Sequence, residues 1–154
     1  MPVRRPVLAL TLFLTLALAG AARAAGPPEP VGIGSGWQLS FDGGGSWQPT
    51  TVPGVFDANT PASEFAGRVG VYRVTFTGPT APAGYAWALR FDSVRRVADV
   101  YLNGVLVGRH TDPYVPFELP ATGLRRGAPN ELEVRVDNRK DGEPREGWWN
   151  WGGI

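Results

Sequence analysis

The side chains best suited to bind a ligand occupy two places, a loop in the second half of the chain and the last nine residues. Asp112 and Tyr114 lie in the loop, and the chain ends with EGWWNWGGI at residues 146–154. Aromatic rings can stack on an apolar face of a small ligand, while carboxylate and amide groups can hydrogen-bond its polar groups. The candidate substrate-binding residues are therefore Asp112, Tyr114, Trp148, Trp149 and Asn150.

Most other catalytic and metal-binding chemistries lack the residues that they need. The chain has no cysteine, which excludes zinc fingers, thiol redox centres and cysteine nucleophiles. His110 is the only histidine, so a multi-histidine metal site is excluded, and no nucleophile elbow accompanies it. We expect His110 to be a surface residue at a strand end, and we predict no catalytic residue, no metal and no cofactor.

The first 24 residues predict a secretory signal peptide. Arg4 and Arg5 precede the apolar run Val7–Leu18, and Ala22-Arg23-Ala24 provides the small residues of a cleavage site. A transmembrane anchor is the alternative, but it needs roughly 20 apolar residues. We expect a secreted protein, extracellular or periplasmic, with no membrane association after cleavage.

Composition limits the class of protein. The chain has 154 residues, of which 21 are Gly and 15 are Pro, and this density of turn formers favours an all-β fold. The chain has fifteen basic and fourteen acidic residues, so it has no excess of positive charge that would indicate binding to nucleic acid. A (β/α)₈ barrel needs roughly 200 residues or more, which is longer than this chain.

Alternating apolar residues predict short strands in the remainder. The strongest local indication of a hairpin is Asn103-Gly104 between two extended runs, because this pair suits the positive φ angles of a type I′ turn. Two prolines confine Trp47–Phe56 to a sheet edge or an extended loop. About seven strands and no helical pattern indicate a β-sandwich or jelly roll. The clearest strands are Trp37–Phe41, Gly70–Thr77, Tyr85–Asp92, Ala98–Leu102, Pro116–Leu119 and Glu131–Asp137.

These patterns divide the chain into three parts. Residues 1–24 are the signal peptide, residues 25–36 form a flexible Pro- and Gly-rich linker, and residues 37–154 form one sandwich domain. Arg95-Arg96 lies between two predicted strands, and we expect it to be a solvated turn.

An ordered set of short motifs resembles the N-terminal sugar-binding domain of family 2 glycoside hydrolases, the group of β-galactosidases, β-glucuronidases, β-mannosidases and exo-β-glucosaminidases. The resemblance extends from Trp37 to Ile154, and no single motif is specific. In chain order the motifs include Val52-Pro53-Gly54, Gly70-Val71-Tyr72-Arg73, Leu89-Arg90-Phe91-Asp92-Ser93-Val94, Val100-Tyr101-Leu102-Asn103-Gly104, Tyr114-Val115-Pro116-Phe117-Glu118, Asn130-Glu131-Leu132-Glu133-Val134 and Trp149-Asn150-Trp151-Gly152-Gly153-Ile154.

The resemblance implies a jelly-roll β-sandwich similar to galactose-binding domains, with its last strand missing after Ile154. It also implies a chain truncated before the downstream immunoglobulin-like and barrel domains, which are its expected partners together with a β-linked glycan. The barrel carries the catalytic glutamates in that family. The terminal tryptophans would then pack against the missing strand or the following domains, as an alternative to binding sugar.

An independent active site would need two carboxyl groups about 5 Å apart for retention, or about 6.5 to 9.5 Å apart for inversion. The chain has fourteen acidic residues, but those in the strand region are expected at strand ends and on polar faces, where carboxylates are solvated. These residues are Asp92, Asp99, Glu118, Glu131, Glu133 and Asp137.

The sequence therefore predicts a non-catalytic N-terminal domain of a secreted β-glycosidase, which supports the active site and contacts sugar. Two alternatives belong to other classes. One is a free-standing carbohydrate-binding module, and the other is a structural or adhesive β-sandwich without a sugar ligand.

Overall fold

The computed structural model describes residues 26–61, 66–81, 84–139 and 151–154, and every regular element within these ranges is a β-strand. The predicted signal peptide lies outside the described residues. None of the described elements is a helix long and apolar enough to cross a membrane. The strands are β1 (Gln38–Ser40), β2 (Gln48–Pro49), β3 (Val55–Phe56), β4 (Val69–Thr77), β5 (Ala88–Phe91), β6 (Val97–Leu102), β7 (Val105–His110), β8 (Phe117–Pro120), β9 (Pro129–Asp137) and β10 (Gly152–Gly153).

Six antiparallel strands form the larger sheet, in the order β2-β1-β4-β9-β6-β7. At its centre β4 pairs with β9 along nine residues of each strand, from Val69 opposite Asp137 to Thr77 opposite Pro129. Alternation in β9 directs Leu132, Val134 and Val136 inwards, as their period of two predicts. The two-proline segment supplies β2 at the sheet edge, which confirms its predicted position.

Two smaller antiparallel sheets, β3 with β10 and β5 with β8, cover the inner face of the larger sheet. Phe56 of β3 and Leu89 of β5 share a buried cluster with Tyr72, Val100 and Val134 of the larger sheet. The aromatic rings of Phe56 and Tyr72 lie 6.3 Å apart between centroids. This arrangement confirms the predicted all-β sandwich.

The Asn103-Gly104 hairpin is confirmed in detail. Leu102 pairs with Val105, and the two turn residues have φ angles of 52° and 79°, as a type I′ turn requires. The Asn103 side chain also reaches the neighbouring strand, where its Nδ2 donates to Oδ1 of the buried Asn130 at 2.9 Å. The turn residue thus joins β6 to the start of β9.

The prediction of a solvated turn at Arg95-Arg96 is wrong. Arg95 is 2% exposed and Arg96 is 8% exposed. The main chain of Arg95 exchanges two hydrogen bonds with Gly153, at 3.0 and 3.2 Å, and this pairing holds the segment inside the second layer of the sandwich. Adjacent charges in a sequence do not reveal such long-range pairing.

The segment that precedes β1 contains no strand, yet part of it packs onto the domain. Ile33 is half-buried against the core, and the indole nitrogen of Trp37 donates a 2.7 Å hydrogen bond to the Ile33 carbonyl. The predicted linker is therefore attached to the sandwich at least from Ile33 onwards.

Candidate functional site

The loop that carries two predicted site residues is held by one hydrogen bond within the loop and one from Ser93. The carboxylate of Asp112 accepts a 2.9 Å bond from the Tyr114 main-chain N–H, and the Ser93 hydroxyl donates to the Pro113 carbonyl at 3.0 Å. Short-range bonds of an Asx turn restrict a loop without covering it. The Tyr114 side chain consequently stands in solvent, with the residue 67% exposed.

Arg95 brings this loop next to the end of the chain. Its guanidinium carbon lies 5.0 Å from the centre of the Tyr114 ring and 5.1 Å from that of the Trp151 ring. Both distances are within the roughly 6 Å over which a cation is attracted to an aromatic face. Arg95 was not predicted as a site residue. We refer to Arg95, Asp112, Tyr114 and Trp151 as the aromatic cluster.

Three predicted site residues, Trp148, Trp149 and Asn150, lie outside the described residues, and their assignment stays a prediction. Their neighbour Trp151 is described and is half-buried. The main chain that follows it is fixed, because Gly54 and Ile154 exchange hydrogen bonds at 2.8 and 3.2 Å. Gly153 and Ile154 therefore belong to the same layer of the sandwich as Arg95.

Five of the six carboxylates named from the strand region form ion pairs with arginines. Arg90 lies between Asp92 and Glu118, at 3.2 and 3.3 Å, with all three side chains more than half exposed. Three similar ion pairs form on other strands or at their ends, namely Asp99 with Arg109, Glu133 with Arg135, and Asp137 with Arg139. The charges of these carboxylates are therefore neutralised by arginines at the surface.

Among the described residues, two carboxyl groups have pKa values clearly shifted from their ordinary values, and both shifts are downward. Hydrogen bonds from the Ser40 and Ser46 side chains hold the pKa of Asp42 well below its usual range. A hydrogen bond from the Arg139 side chain lowers the pKa of Asp137. A general acid in glycoside hydrolysis needs the opposite shift, so neither group is suited to that task.

A second polar network closes one end of the sandwich. Asp57, which has a φ of 61°, forms an ion pair with Arg68, and the buried Asn138 donates to the same carboxylate at 3.3 Å. Oδ1 of Asn138 accepts the Arg68 main-chain N–H at 2.7 Å. Since each member has a protein partner, the network is structural. Across the described ranges, no three His, Asp or Glu side chains are grouped so as to hold a metal ion.

An apolar trough with a volume of about 600 Å³ opens between the two smaller sheets. One side is lined by the continuous stretch Trp87–Ser93, which contains β5. Val52 and Ile154, next to β3 and β10, line it as well, together with the core residues Trp37 and Leu132. In the described part of the chain β8 is the one strand paired with β5, so the other edge of β5 is open to the trough, and Ser93 connects this edge to the aromatic cluster.

Comparison with known proteins identifies the family. The model for the glycosyl hydrolase 2 galactose-binding domain-like family matches residues 55–147, which is more than half of the chain. The chain belongs to this family. The fold and the ordered motifs agree with the match, and the expected resemblance to the N-terminal domain of these enzymes is confirmed.

Sequence relatives of this glycosyl hydrolase 2 domain are much longer proteins. The beta-galactosidase BoGH2A of Bacteroides ovatus is 36% identical over 98 residues, which are 63% of this chain and 11% of that protein. A beta-galactosidase of Psychromonas ingrahamii is 32% identical over 122 residues, 76% of this chain and 11% of that protein. The chain thus spans about a tenth of the length of these curated relatives.

Solved structures show the same relation. A Bacteroides fragilis protein assigned as a beta-galactosidase matches with a TM-score of 0.66 at 30% identity, over 80% of this chain and 21% of that one. The beta-glucuronidase of Bacteroides uniformis matches with a TM-score of 0.63 at 25% identity, over 79% of this chain and 16% of that one. The glycosyl hydrolase 2 domain corresponds to one part of each larger enzyme.

Proposed function

We propose that this chain is the non-catalytic N-terminal domain of a secreted β-glycosidase, and that the complete protein hydrolyses a terminal β-glycosidic bond. The observation that carries the proposal is its family membership, combined with a match to about a tenth of each curated relative. The relatives include enzymes named for galactosides and glucuronides, so the substrate class is a β-linked glycan.

The charges on the described strands support a non-catalytic role for this part of the protein. Five carboxylates on or next to these strands are paired with arginines, and the two carboxyl pKa values that are clearly shifted among the described residues are lowered. Acid catalysis at a glycosidic oxygen requires a protonated carboxyl near neutral pH. The reacting groups would therefore belong to other domains of the longer protein, which this domain supports.

A sugar contact is proposed at the aromatic cluster. The ring of Tyr114 is exposed, and hydrogen bonds at Asp112 and Ser93 fix the loop that presents it. A restrained aromatic ring loses little entropy when it stacks on a ligand. Trp148, Trp149 and Asn150 are proposed as further sugar contacts from the sequence alone. Secretion rests on the residue pattern of positions 1–24.

The proposal is tested by comparing the 154-residue chain with the longer product of the gene. Both are assayed on aryl β-galactosides and aryl β-glucuronides. We expect turnover from the longer protein alone. Hydrolysis by the purified 154-residue chain would contradict the non-catalytic assignment, and a reading frame that ends at Ile154 would favour a free-standing carbohydrate-binding module.

Titration with sugars then separates the remaining possibilities. Methyl β-galactoside and methyl β-glucuronide are added to the chain while its tryptophan fluorescence is followed. A saturable change with either sugar supports the sugar contact. No response to either sugar would leave only the supporting role in a longer enzyme or a structural sandwich.

A further inference from the structure

The turn between β6 and β7 contains Asn103, the only asparagine of the chain that is followed by glycine. Because glycine has no Cβ atom to shield its nitrogen, the Gly104 nitrogen can attack the side-chain amide carbon of Asn103. The Gly104 N–H loses its proton to hydroxide, a bond forms between this nitrogen and Cγ, and Nδ2 takes a proton from water and leaves as ammonia. Water then opens the succinimide ring, which gives aspartate or isoaspartate. The turn is therefore a candidate site of deamidation.

The tip of this hairpin is accessible to hydroxide and water. Gly104 is exposed, and a Cβ atom at this position would have no neighbour within 4 Å. The next two residues, Val105 and Leu106, are exposed as well. Exclusion of the reactants consequently cannot protect Asn103, so any protection must come from restraint of its side chain.

Hydrogen bonds to other segments restrain both polar atoms of the Asn103 amide. Nδ2 donates to Oδ1 of Asn130 at 2.9 Å and to the Gly123 carbonyl at 3.1 Å. Oδ1 accepts the main-chain N–H of Glu131 at 3.0 Å. Ring closure needs the amide carbon within about 3–3.5 Å of the Gly104 nitrogen, in line for attack. A rotation of the side chain towards that nitrogen would break these three bonds.

The groups that hold Asn103 are themselves fixed. Asn130 is 1% exposed, and its amide also bonds the main chain of Arg125 and Ala128 at 2.8 to 2.9 Å. The Asn103 main chain adds a bond to β9, because its N–H donates to the Glu131 carbonyl at 2.8 Å. Release of the Asn103 side chain therefore requires a local opening of the hairpin away from the start of β9.

We propose that Asn103 is a deamidation site that the fold keeps closed, and that its amide is converted when the β6–β7 hairpin opens and Asn103 leaves Asn130 and Gly123. This inference goes beyond the proposed function and does not depend on it. It assigns to the hairpin the step at which unfolding of the domain becomes chemically irreversible.

The products of the reaction do not fit the closed hairpin. Both carry a carboxylate in place of the amide whose Nδ2 donates two hydrogen bonds, so this carboxylate would face two acceptors, Oδ1 of Asn130 and the Gly123 carbonyl. Isoaspartate also inserts a methylene group into the main chain between Leu102 and Val105, which are paired across the turn. A hairpin that has reacted while open is therefore hindered from closing.

Peptide mapping by mass spectrometry tests the proposal. The purified protein is incubated at mildly alkaline pH, either folded or unfolded in guanidinium chloride, and the conversion at position 103 is followed. We expect the folded protein to react at least about a hundredfold more slowly. Asn59, exposed and followed by threonine, is the internal control, and a synthetic peptide of residues 99–107 corrects for the denaturant. Equal rates at Asn103 in folded and unfolded protein would overturn the proposal.

A pair of variants separates the restraint by Asn130 from general stability. Asn130→Ala removes the acceptor of Nδ2, whereas Gly152→Ala disturbs the packing against Phe56, elsewhere in the sandwich. Both are compared at denaturant concentrations that give the same folded fraction. We expect Asn103 to react at least about tenfold faster in Asn130→Ala. Equal rates in the two variants would overturn the role of Asn130.

Asn103→Asp reproduces one product directly, and it decides the consequence of the reaction even if Asn130→Ala fails to fold. We expect a clear shift of its urea midpoint to lower concentration, because the two donated hydrogen bonds are lost. Asn59→Asp, at an exposed loop position, should leave the midpoint unchanged. An unchanged midpoint for Asn103→Asp would overturn the inference that deamidation hinders closing.

Discussion

The guanidinium carbon of Arg95 lies 5.0 Å from the centre of the Tyr114 ring, so a buried cation supports an exposed aromatic residue. The same cation lies 5.1 Å from the Trp151 ring. Through Arg95, the loop of Asp112 and the end of the chain become neighbours. The loop that carries Asp112 and Tyr114 therefore meets Trp151, the described residue next to the predicted site residues at the end of the chain, at one side of the sandwich.

Replacing Arg95 tests this connection. Arg95→Met retains an apolar stem but removes the cation, and we expect a loss of about 1–2 kcal/mol in the free energy of unfolding, with faster amide exchange in residues 112–115. Arg109→Met is the matched control, because that side chain is 61% exposed and pairs with Asp99 at the surface. We expect the control to change stability by less than about 1 kcal/mol. Equal effects from the two variants would argue against the role of Arg95.

Tyr114→Ala tests the proposed sugar contact. The ring is largely exposed, so its removal should leave the melting temperature nearly unchanged while weakening sugar binding about tenfold. Val115→Ala is a suitable control, since that neighbouring residue is 48% exposed. Fluorescence titration with methyl β-galactoside and methyl β-glucuronide measures both variants. Identical affinities of wild type and Tyr114→Ala would remove Tyr114 from the site.

The buried amide of Asn130 is expected to be essential for stability. Its Oδ1 accepts from Asn103 and from the Arg125 main chain, and its Nδ2 donates to the carbonyls of Arg125 and Ala128, all between 2.8 and 2.9 Å. Asn130→Ala leaves these groups unsatisfied, and we expect a loss of about 2–4 kcal/mol in urea denaturation. Asn59→Ala, at an exposed loop position, is the control. A loss below about 1 kcal/mol for Asn130→Ala would contradict the importance of the network.

Close packing at Gly152 gives a prediction about the last strand of the described chain. A Cβ atom there would lie 2.4 Å from Cζ of Phe56, whereas one at Gly34 would have no neighbour within 4 Å. Gly152→Ala should therefore reduce stability by about 1–3 kcal/mol through overpacking. Gly34→Ala should be nearly neutral. Comparable denaturation midpoints for the two variants would show that β10 does not pack against Phe56.

Alkaline pH should destabilise the domain through Tyr72. Burial raises the pKa of this phenol to about 12, from an ordinary value of 10. Between these values the unfolded chain releases the proton and the folded chain keeps it, so the unfolded state binds fewer protons and stability falls as pH rises. Tyr72→Phe lacks this proton and should lose stability less steeply from about pH 10 to 12. Equal slopes in denaturation midpoint against pH would contradict the shifted pKa.

Much of the fold follows from local pattern. Alternation of apolar residues predicts the buried faces of β4, β5, β6 and β9, because side chains of a strand point alternately to its two faces. The Asn103-Gly104 turn follows from backbone sterics alone. Neither inference needs any knowledge of distant residues, and both agree with the structure.

The short strands β3 and β10 could not be predicted in this way. Each has two residues, too few for a period, and they form because Gly152 and Gly153 come to lie against Phe56 and Val55. The burial of Arg95 has the same cause, since its main chain pairs with Gly153. The sequence at Arg95-Arg96 shows two adjacent charges and gives no sign of the pairing with Gly153.

The sequence by itself determined the class of fold, the hairpin, the absence of cysteine and multi-histidine chemistry, and the candidate residues Asp112 and Tyr114. Only the tertiary structure decided that Arg95 supports Tyr114, and that an apolar trough lies beside the open edge of β5. The physical reason is the separation along the sequence of the residues that interact. Strand alternation and turn preference depend on neighbouring residues, whereas a cation against an aromatic ring and an unpaired strand edge depend on segments that only folding brings together.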